Sequence, residues 1–193
     1  MSVWYWVRHA PTKAKAFAGW KDVPADFSGI DERIDRLDAF LPRDATLVAS
    51  DLDRASATAD LLSKGRHRLP DKPALREFNF GDWEGLTAAE IATAYPELSR
   101  AYWEEPGEAA PPNGESWYKA ARRIQESVDW LAMHNPDAAI IVVAHMGVIL
   151  TQIRRARMVS PREVISMPVD HLSVTKIRFE QTTWQLELLN YSA

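Results

Sequence analysis

Residues 3–10 read Val-Trp-Tyr-Trp-Val-Arg-His-Ala, a run of five apolar residues that stops at an arginine and a histidine. Short runs rich in β-branched and aromatic residues are typical of strands buried on both faces, as in a parallel sheet. Similar runs occur at Thr46–Ala49 and Ala138–Ala144. A fourth candidate strand lies near Ala74–Arg76.

Helical patterns lie between these runs. Apolar residues recur every three or four positions within 30–41, 55–62 and 117–131. The tail differs, because 173–179 and 183–189 alternate apolar and polar residues and so predict two half-buried strands. Strands that alternate with helices predict an α/β fold, here a three-layer sandwich with a mostly parallel central sheet flanked by helices.

Residues 78–114 interrupt this alternation. They are rich in glycine and proline, and they hold only short helical patterns near 87–94 and 97–103. We predict a single domain over residues 1–193, with 78–114 as a small lid insertion over one edge of the sheet.

Composition narrows the class of protein. The 193 residues are 46% apolar, which suits one domain with its own core. They contain no cysteine, which excludes a thiolate nucleophile and a cysteine zinc site and fits a reducing compartment. The net charge of −4 argues against nucleic acid as a partner. No apolar run approaches the roughly 20 residues of a membrane span. We expect a cytoplasmic protein with no signal peptide and no membrane partner.

Polar side chains follow each predicted strand. Arg8 and His9 follow the first strand, Arg54 lies just after the second, Glu77 follows the candidate strand near 74–76, and His145 follows Ala138–Ala144. Ligands of open α/β sheets bind beyond the carboxyl ends of the strands. We therefore expect two histidines, two arginines and a carboxylate to meet at one rim.

These residue types suit phosphoryl transfer, in which catalysis is mostly positioning and charge stabilisation. The guanidinium groups of Arg8 and Arg54 match phosphate geometry, and helix N-termini add backbone donors. A neutral imidazole is a competent nucleophile, and a carboxyl group such as that of Glu77 could protonate the leaving oxygen. The sequence holds no His/Asp/Glu cluster with metal-ligand spacing, so we expect neither a metal nor another cofactor.

Six motifs in order resemble those of the histidine phosphatase superfamily, also called phosphoglycerate-mutase-like. Arg8-His9-Ala10-Pro11-Thr12 resembles its Arg-His-Gly-x-Thr signature. The other matches are Gly19–Pro24 to Gly-x-x-Asp-x-Pro, Ser50–Ala59 to Ser-x-Leu-x-Arg-Ala-x-x-Thr-Ala, Leu75–Gly85 to Leu-x-Glu-x-x-x-Gly-x-x-Glu-Gly, Asn113–Ser116 to Gly-Gly-Glu-Ser, and Ala144–Gly147 to x-His-Gly-Gly.

The resemblance implies roles for individual residues. It makes His9 the phosphorylated nucleophile and Glu77 the acid and base, with Arg8, Arg54 and His145 as the phosphate pocket. Thr12, the last residue of the signature, is a further candidate for substrate binding. Lys15 stands where many members carry an asparagine that reaches the phosphate, so it is either a cationic substitute or a solvated side chain.

Two departures from the motifs leave alternatives open. Ala10 and Met146 replace glycines beside the phosphate pocket, so a non-catalytic phospholigand-binding module is one alternative to a phosphomonoesterase. Phosphoglycerate mutase chemistry is the other. Glu84 competes with Glu77 as the acid. We interpret His67, His134 and His171 as structural or solvated, and we place Trp83, Trp103 and Trp117 near a substrate.

The charges of the predicted lid indicate which class of phosphate ester is the substrate. Residues 78–114 hold seven acidic residues and one basic residue, Arg100, whereas a mutase needs several cations above the nucleophile. We therefore predict hydrolysis of a small-molecule phosphate ester with a neutral leaving group, and an aromatic group is one candidate. In length and motif style the chain resembles α-ribazole-5′-phosphate phosphatases, which makes α-ribazole 5′-phosphate a candidate ester.

Overall fold

A six-stranded mixed sheet forms the centre of the protein in the computed structural model, which describes residues 1–136 and 138–193. The strands are β1 (Ser2–Arg8), β2 (Thr46–Ala49), β3 (His67–Arg68), β4 (Ala139–Ala144), β5 (Val174–Glu180) and β6 (Thr183–Tyr191). Their order across the sheet is β3-β2-β4-β1-β5-β6. The first four neighbours in this order pair in parallel, and β5 and β6 join the edge in antiparallel pairs.

Helices cover both faces of the sheet. They are α1 (Asp31–Phe40), α2 (Asp53–Leu61), α3 (Ala88–Ala94), α4 (Pro96–Glu104), α5 (Trp117–His134), α6 (Met146–Arg157) and α7 (Pro161–Val164). Short 3-10 turns occupy Pro73–Leu75 and Gly81–Trp83.

Alternation along the central strands divides the core into two. Trp4 and Trp6 of β1 pack with α5 and α6 on one face, and Val7 packs with α1 and α2 on the other. Ile140 and Ile141 of β4 divide in the same way. Successive side chains of a strand point to opposite faces, so an apolar strand without alternation needs helices on both. The predicted three-layer α/β sandwich is confirmed.

One predicted strand is wrong. Residues near Ala74–Arg76 do not form a strand, because Pro73–Leu75 is a 3-10 turn. The strand beside β2 is instead His67–Arg68, two residues that pair with Thr46 and Leu47. Beyond Arg68 the N–H groups of Leu69 and Lys72 still donate to the carbonyls of Leu47 and Ala49 in β2, but Pro70 and Pro73 have no N–H to donate, so no continuous ladder forms. Glu77 is therefore placed by a loop.

The helices carry exposed charged side chains. The longest, α5, has 18 residues and exposes charged side chains along one side. Within residues 1–136 and 138–193, no helix is both long enough and apolar enough to cross a membrane.

Candidate active site

The two motif histidines meet because β1 and β4 are parallel neighbours. Arg8 lies opposite Ala144 in the ladder, so His9 and His145 follow at the same edge. The backbone N–H of His9 donates to the Ala144 carbonyl at 3.0 Å, and the two ring centroids lie 5.0 Å apart. Strand register alone thus brings together residues that are 136 positions apart in the chain.

The His9 ring is held with one nitrogen free. Its Nδ1 lies 2.6 Å from the Ala10 carbonyl oxygen, so Nδ1 carries the proton and donates it there. Burial, together with the charges of Arg54 and Arg8, holds the pKa of His9 well below its usual value. The ring is therefore neutral at neutral pH and keeps the Nε2 lone pair for attack.

The His145 ring has no protein partner. It is fully buried at the N-cap of α6, and neither ring nitrogen finds a hydrogen bond within the described chain. Burial, and then the neighbouring His9 and arginines, also hold the pKa of His145 well below its usual value. A buried polar group without a partner costs about 1–3 kcal/mol, so the site is built to receive an acceptor.

Two arginines bring positive charge to this edge. Arg8 donates from Nη1 to the Val169 carbonyl at 2.5 Å. Arg54, the second residue of α2, donates to the carbonyls of Gly19 and Lys21 at 2.7 and 3.1 Å. Burial lowers the pKa of both guanidinium groups, but they stay charged at neutral pH. Carbonyl contacts orient the two guanidinium groups, and among the described residues neither group forms a salt bridge to a carboxylate, although the Glu77 carboxylate is near enough to raise the pKa of both.

Glu77 reaches the site from the loop after Pro73–Leu75. Its Oε1 accepts from the Phe78 N–H at 2.9 Å, and its Oε2 accepts from the Gly147 N–H at 3.2 Å. A Cβ at position 147 would lie only 2.4 Å from the Glu77 Oε1. The glycine that remains of the His-Gly-Gly motif is therefore required for Glu77 to approach α6.

A buried ion pair positions this loop and was not found from the sequence. Arg123 of α5 donates to the carbonyls of Ala74, Arg76 and Glu77 at 3.0, 3.0 and 3.1 Å. It also makes a bidentate pair with Glu115, at 3.0 and 2.7 Å. The only signal in the sequence is Glu115 itself, which stands in the fifth motif.

Other motif residues hold the backbone that carries the site residues. Thr58 accepts from the Ala10 N–H at 3.0 Å and donates to the Arg54 carbonyl at 2.7 Å. Asp22 accepts from the N–H of Asp53, the first residue of α2, at 2.8 Å. These bonds tie the residue after the nucleophile to the helix that carries Arg54.

The polar cavity at this edge has a volume of about 240 Å³. Its lining includes the predicted site residues Arg8, His9, Thr12, Arg54 and Glu77, whereas His145 is not part of the lining. Lys15 does not line the cavity, although its neighbours Ala14 and Ala16 do. Its side chain is exposed, and of the two alternatives for this residue the structure favours the solvated one.

An aromatic cavity of about 90 Å³ adjoins the polar one. The two share Glu77, Phe80 and Met146. The remaining lining of the aromatic cavity is Phe78, Tyr102, Trp103, Trp117, Gly147, Leu150 and Ile165. Of the three tryptophans predicted near a substrate, Trp103 and Trp117 lie here, whereas Trp83 is buried in the core away from both cavities.

The two departures from the motifs differ in consequence. Ala10 is fully buried in the core between the sheet and α1 and α2, and it does not line the polar cavity. Met146 lines both cavities, so its side chain is in reach of a bound ligand. Glu84, the alternative acid, accepts from the N–H groups of Trp20 and Lys21 at 2.7 and 2.8 Å and lies outside the lining. Glu84 thus has a structural role.

The three histidines interpreted as structural or solvated have different outcomes. His67 is exposed on β3, and His134 is exposed and stacks on Trp130 at 4.0 Å. His171 instead lines the polar cavity, with its ring centroid 5.4 Å from that of His9. No motif precedes His171, so its position was missed. Over the described residues, no group of three or more His, Asp or Glu side chains could hold a metal ion.

Comparisons with known proteins agree with this geometry. Residues 4–192 match the family model of the histidine phosphatase superfamily (branch 1). The adenosylcobalamin/alpha-ribazole phosphatase of Salmonella typhimurium is 30% identical over 193 residues, which cover 95% of this chain and 88% of that protein.

Two solved structures are similar over nearly their whole length. Bacillus stearothermophilus YhfR has a TM-score of 0.87 at 27% identity, covering 96% of this chain and 95% of that one. A mycobacterial glucosyl-3-phosphoglycerate phosphatase has a TM-score of 0.85 at 26% identity, covering 99% of both chains.

Proposed function

The chain belongs to the histidine phosphatase superfamily, a family of phosphatases, and we propose that it hydrolyses a small-molecule phosphate monoester through a phosphorylated His9. The observation that carries this proposal is the pairing of two buried neutral imidazoles, of which His9 lines the polar cavity and His145 packs against His9 with the ring centroids 5.0 Å apart. One has its Nε2 free, the other has no partner, and Arg8 and Arg54 flank them.

The proposed reaction has two steps, and Glu77 serves in both. In the first step the Nε2 of His9 attacks phosphorus, the bond from phosphorus to the ester oxygen breaks, and Glu77 gives that oxygen a proton. In the second step water attacks the phosphohistidine, Glu77 takes a proton from the water, and the bond from phosphorus to Nε2 breaks. Phosphate leaves and both groups are restored.

The pocket residues stabilise the transferred group in both steps. Arg8 and Arg54 oppose the negative charge of the phosphoryl oxygens. The ring N–H of His145, which has no hydrogen-bond partner within the described residues, donates to the anion. Because these groups are fixed before substrate arrives, little reorganisation is needed when charge develops.

Hydrolysis is favoured over mutase chemistry by the charges at the cavity. Among the lining residues in the described part of the chain, the cationic side chains are Arg8 and Arg54. One phosphoryl group is enough to neutralise them. A mutase substrate brings a carboxylate and a second phosphate, which need cations of their own.

We propose an ester whose alcohol carries an apolar or aromatic part. Glu77 lines both the aromatic cavity and the polar cavity, and the leaving oxygen must lie beside its carboxyl group. The acidic residues of 78–114 are a weaker argument, because Glu84 and Glu90 are used in local hydrogen bonds. α-Ribazole 5′-phosphate belongs to this class, and the Salmonella relative is named an adenosylcobalamin/alpha-ribazole phosphatase.

We further propose that 78–114 is a lid within the single domain. It contributes Phe78, Phe80, Tyr102 and Trp103 to the aromatic cavity. Within the described residues the Tyr102 hydroxyl and the Trp117 Nε1 are buried without a hydrogen-bond partner. An aromatic alcohol with a ring acceptor would satisfy one of them. The cytoplasmic location stays a prediction.

The test of the nucleophile compares two histidine variants. We expect His9→Ala to abolish turnover of para-nitrophenyl phosphate and formation of an acid-labile phosphoenzyme, while His134→Ala, at an exposed histidine, keeps both. Absence of turnover in the unaltered protein would instead support the non-catalytic binding module.

The test of the substrate class uses a panel of esters. We expect kcat/KM for α-ribazole 5′-phosphate and 1-naphthyl phosphate to exceed that for 3-phosphoglycerate. Trp103→Ala should reduce this preference. Robust mutase activity with 2,3-bisphosphoglycerate, or a preference for glucosyl-3-phosphoglycerate, would overturn the assignment.

A further inference from the structure

His171 is a third imidazole at the nucleophile. Its ring centroid lies 5.4 Å from that of His9, with the planes inclined at 58°, and it lines the same cavity as Arg8 and Arg54. His145 is fully buried and does not line the cavity, whereas His171 is partly exposed and lines it, so of the two rings beside His9 that of His171 is open to a ligand.

The backbone around His171 is fixed at every residue. Val169 accepts from the Arg8 side chain, Asp170 exchanges two hydrogen bonds with Asn190, and the His171 carbonyl accepts from Arg33 at 2.7 Å. The Leu172 N–H donates to the Arg8 carbonyl at 2.9 Å. Leu172 is left-handed, with φ of 61°, a conformation that costs a non-glycine residue about 1 kcal/mol or more.

The imidazole ring of His171, which this anchored segment carries, makes no hydrogen bond to the described residues. Throughout residues 1–136 and 138–193, no hydrogen bond to either ring nitrogen of His171 is found. A loop that is held by side chains from β1, α1 and β6 therefore presents a free donor and a free acceptor to the cavity. Such an arrangement suits contact with a ligand better than support of the fold.

We propose that His171 binds the transferred phosphoryl group, donating a hydrogen bond from its ring to a non-bridging oxygen. This inference rests on the proposed function of the His9 cavity. It adds a neutral donor to the two arginines and His145.

The charge state of the ring agrees with this role. Partial burial, with the charges of Arg8 and Arg33, lowers the pKa of His171 to about 4, and Asp170 opposes that shift. The ring is thus neutral at neutral pH, with one N–H to donate and one lone pair. Phosphoryl oxygens only accept, so the N–H is the group that meets them.

The experiment measures inhibition by inorganic phosphate and kcat/KM with para-nitrophenyl phosphate. We expect His171→Ala to raise the phosphate inhibition constant about 10-fold and to lower kcat/KM similarly, as for a hydrogen bond to a charged group. His171→Gln should recover most of the loss, because its amide keeps an N–H donor. His67→Ala, at an exposed histidine, is the matched control and should behave as the unaltered protein does.

A second measurement avoids dependence on the folding of the variant. In the ¹⁵N-labelled unaltered protein, the ring resonances of His171, assigned by their loss in His171→Gln, should shift when inorganic phosphate is added. Those of His67 should not. Unchanged inhibition in His171→Ala, or unmoved His171 resonances at saturating phosphate, would overturn this inference alone. Failure of the unaltered protein to bind phosphate or turn over any ester would overturn the proposed function and this inference with it.

Discussion

Substitution of Gly147 by alanine should separate acid catalysis from phosphate binding. The added Cβ would lie 2.4 Å from the Glu77 Oε1, about 1 Å inside the 3.4 Å at which ordinary contact begins. It would also lie 3.0 and 3.1 Å from the Phe78 ring. The backbone of α6 accepts alanine, and alanine favours a helix over glycine by up to about 1 kcal/mol, so we expect the fold to persist.

The carboxylate is the group that must move. A displacement of about 1 Å at a catalytic group costs roughly 100-fold in rate, which corresponds to about 2.7 kcal/mol of activation free energy. We therefore expect kcat of Gly147→Ala to fall about 100-fold. The phosphate inhibition constant should stay within about twofold, because Arg8, Arg54 and His145 do not contact the Glu77 carboxylate through hydrogen bonds.

The assay compares two leaving groups. Phenyl phosphate has the poorer leaving group and depends more on a proton from Glu77 than para-nitrophenyl phosphate does, so its kcat should fall further. Glu77→Gln combined with Gly147→Ala should cost little more than Glu77→Gln alone, because both act on one group. Equal losses for the two esters together with weakened phosphate inhibition would refute the reasoning, as would an unchanged kcat.

Three further predictions concern stability and metal dependence. The pKa values of His9 and His145 are depressed in the folded protein, so below pH 6.5 the unfolded chain binds protons that the folded chain does not. The free energy of unfolding, measured in urea at several pH values, should therefore fall between pH 6.5 and 5 by at most about 1.4 kcal/mol per histidine per pH unit. No fall in this window would contradict the depressed pKa values. Arg123→Leu should destabilise the protein by about 3 kcal/mol in the same assay, because it leaves the buried Glu115 carboxylate unpaired. Arg122→Leu, at the neighbouring position and outside this ion pair, should cost far less. Similar losses of stability in the two variants would argue against a special role for the ion pair. Activity should survive EDTA, and loss of activity that added metal restores would contradict the proposed mechanism.

The local pattern of residues is enough to predict most of the framework. The apolar runs at β1, β2 and β4 and the spacing in α1, α2 and α5 predict their elements, because strand and helix periodicity are local properties. Parallel pairing then brings the ends of these strands to one edge. That rule places His9 beside His145 and Arg54 near both, without knowledge of any long-range contact.

Long-range contacts decided the rest. Glu77 is placed by Arg123 and Gly147 from two helices rather than by a strand, since the preceding segment makes its last backbone bond to β2 at Lys72 and then forms the 3-10 turn Pro73–Leu75. His171 enters the cavity because Arg8, 163 positions earlier in the chain, holds the loop that carries it. Such contacts have no local periodicity. The sequence by itself therefore determines which residues lie at the strand ends, and only the tertiary structure decides which loop residues join them.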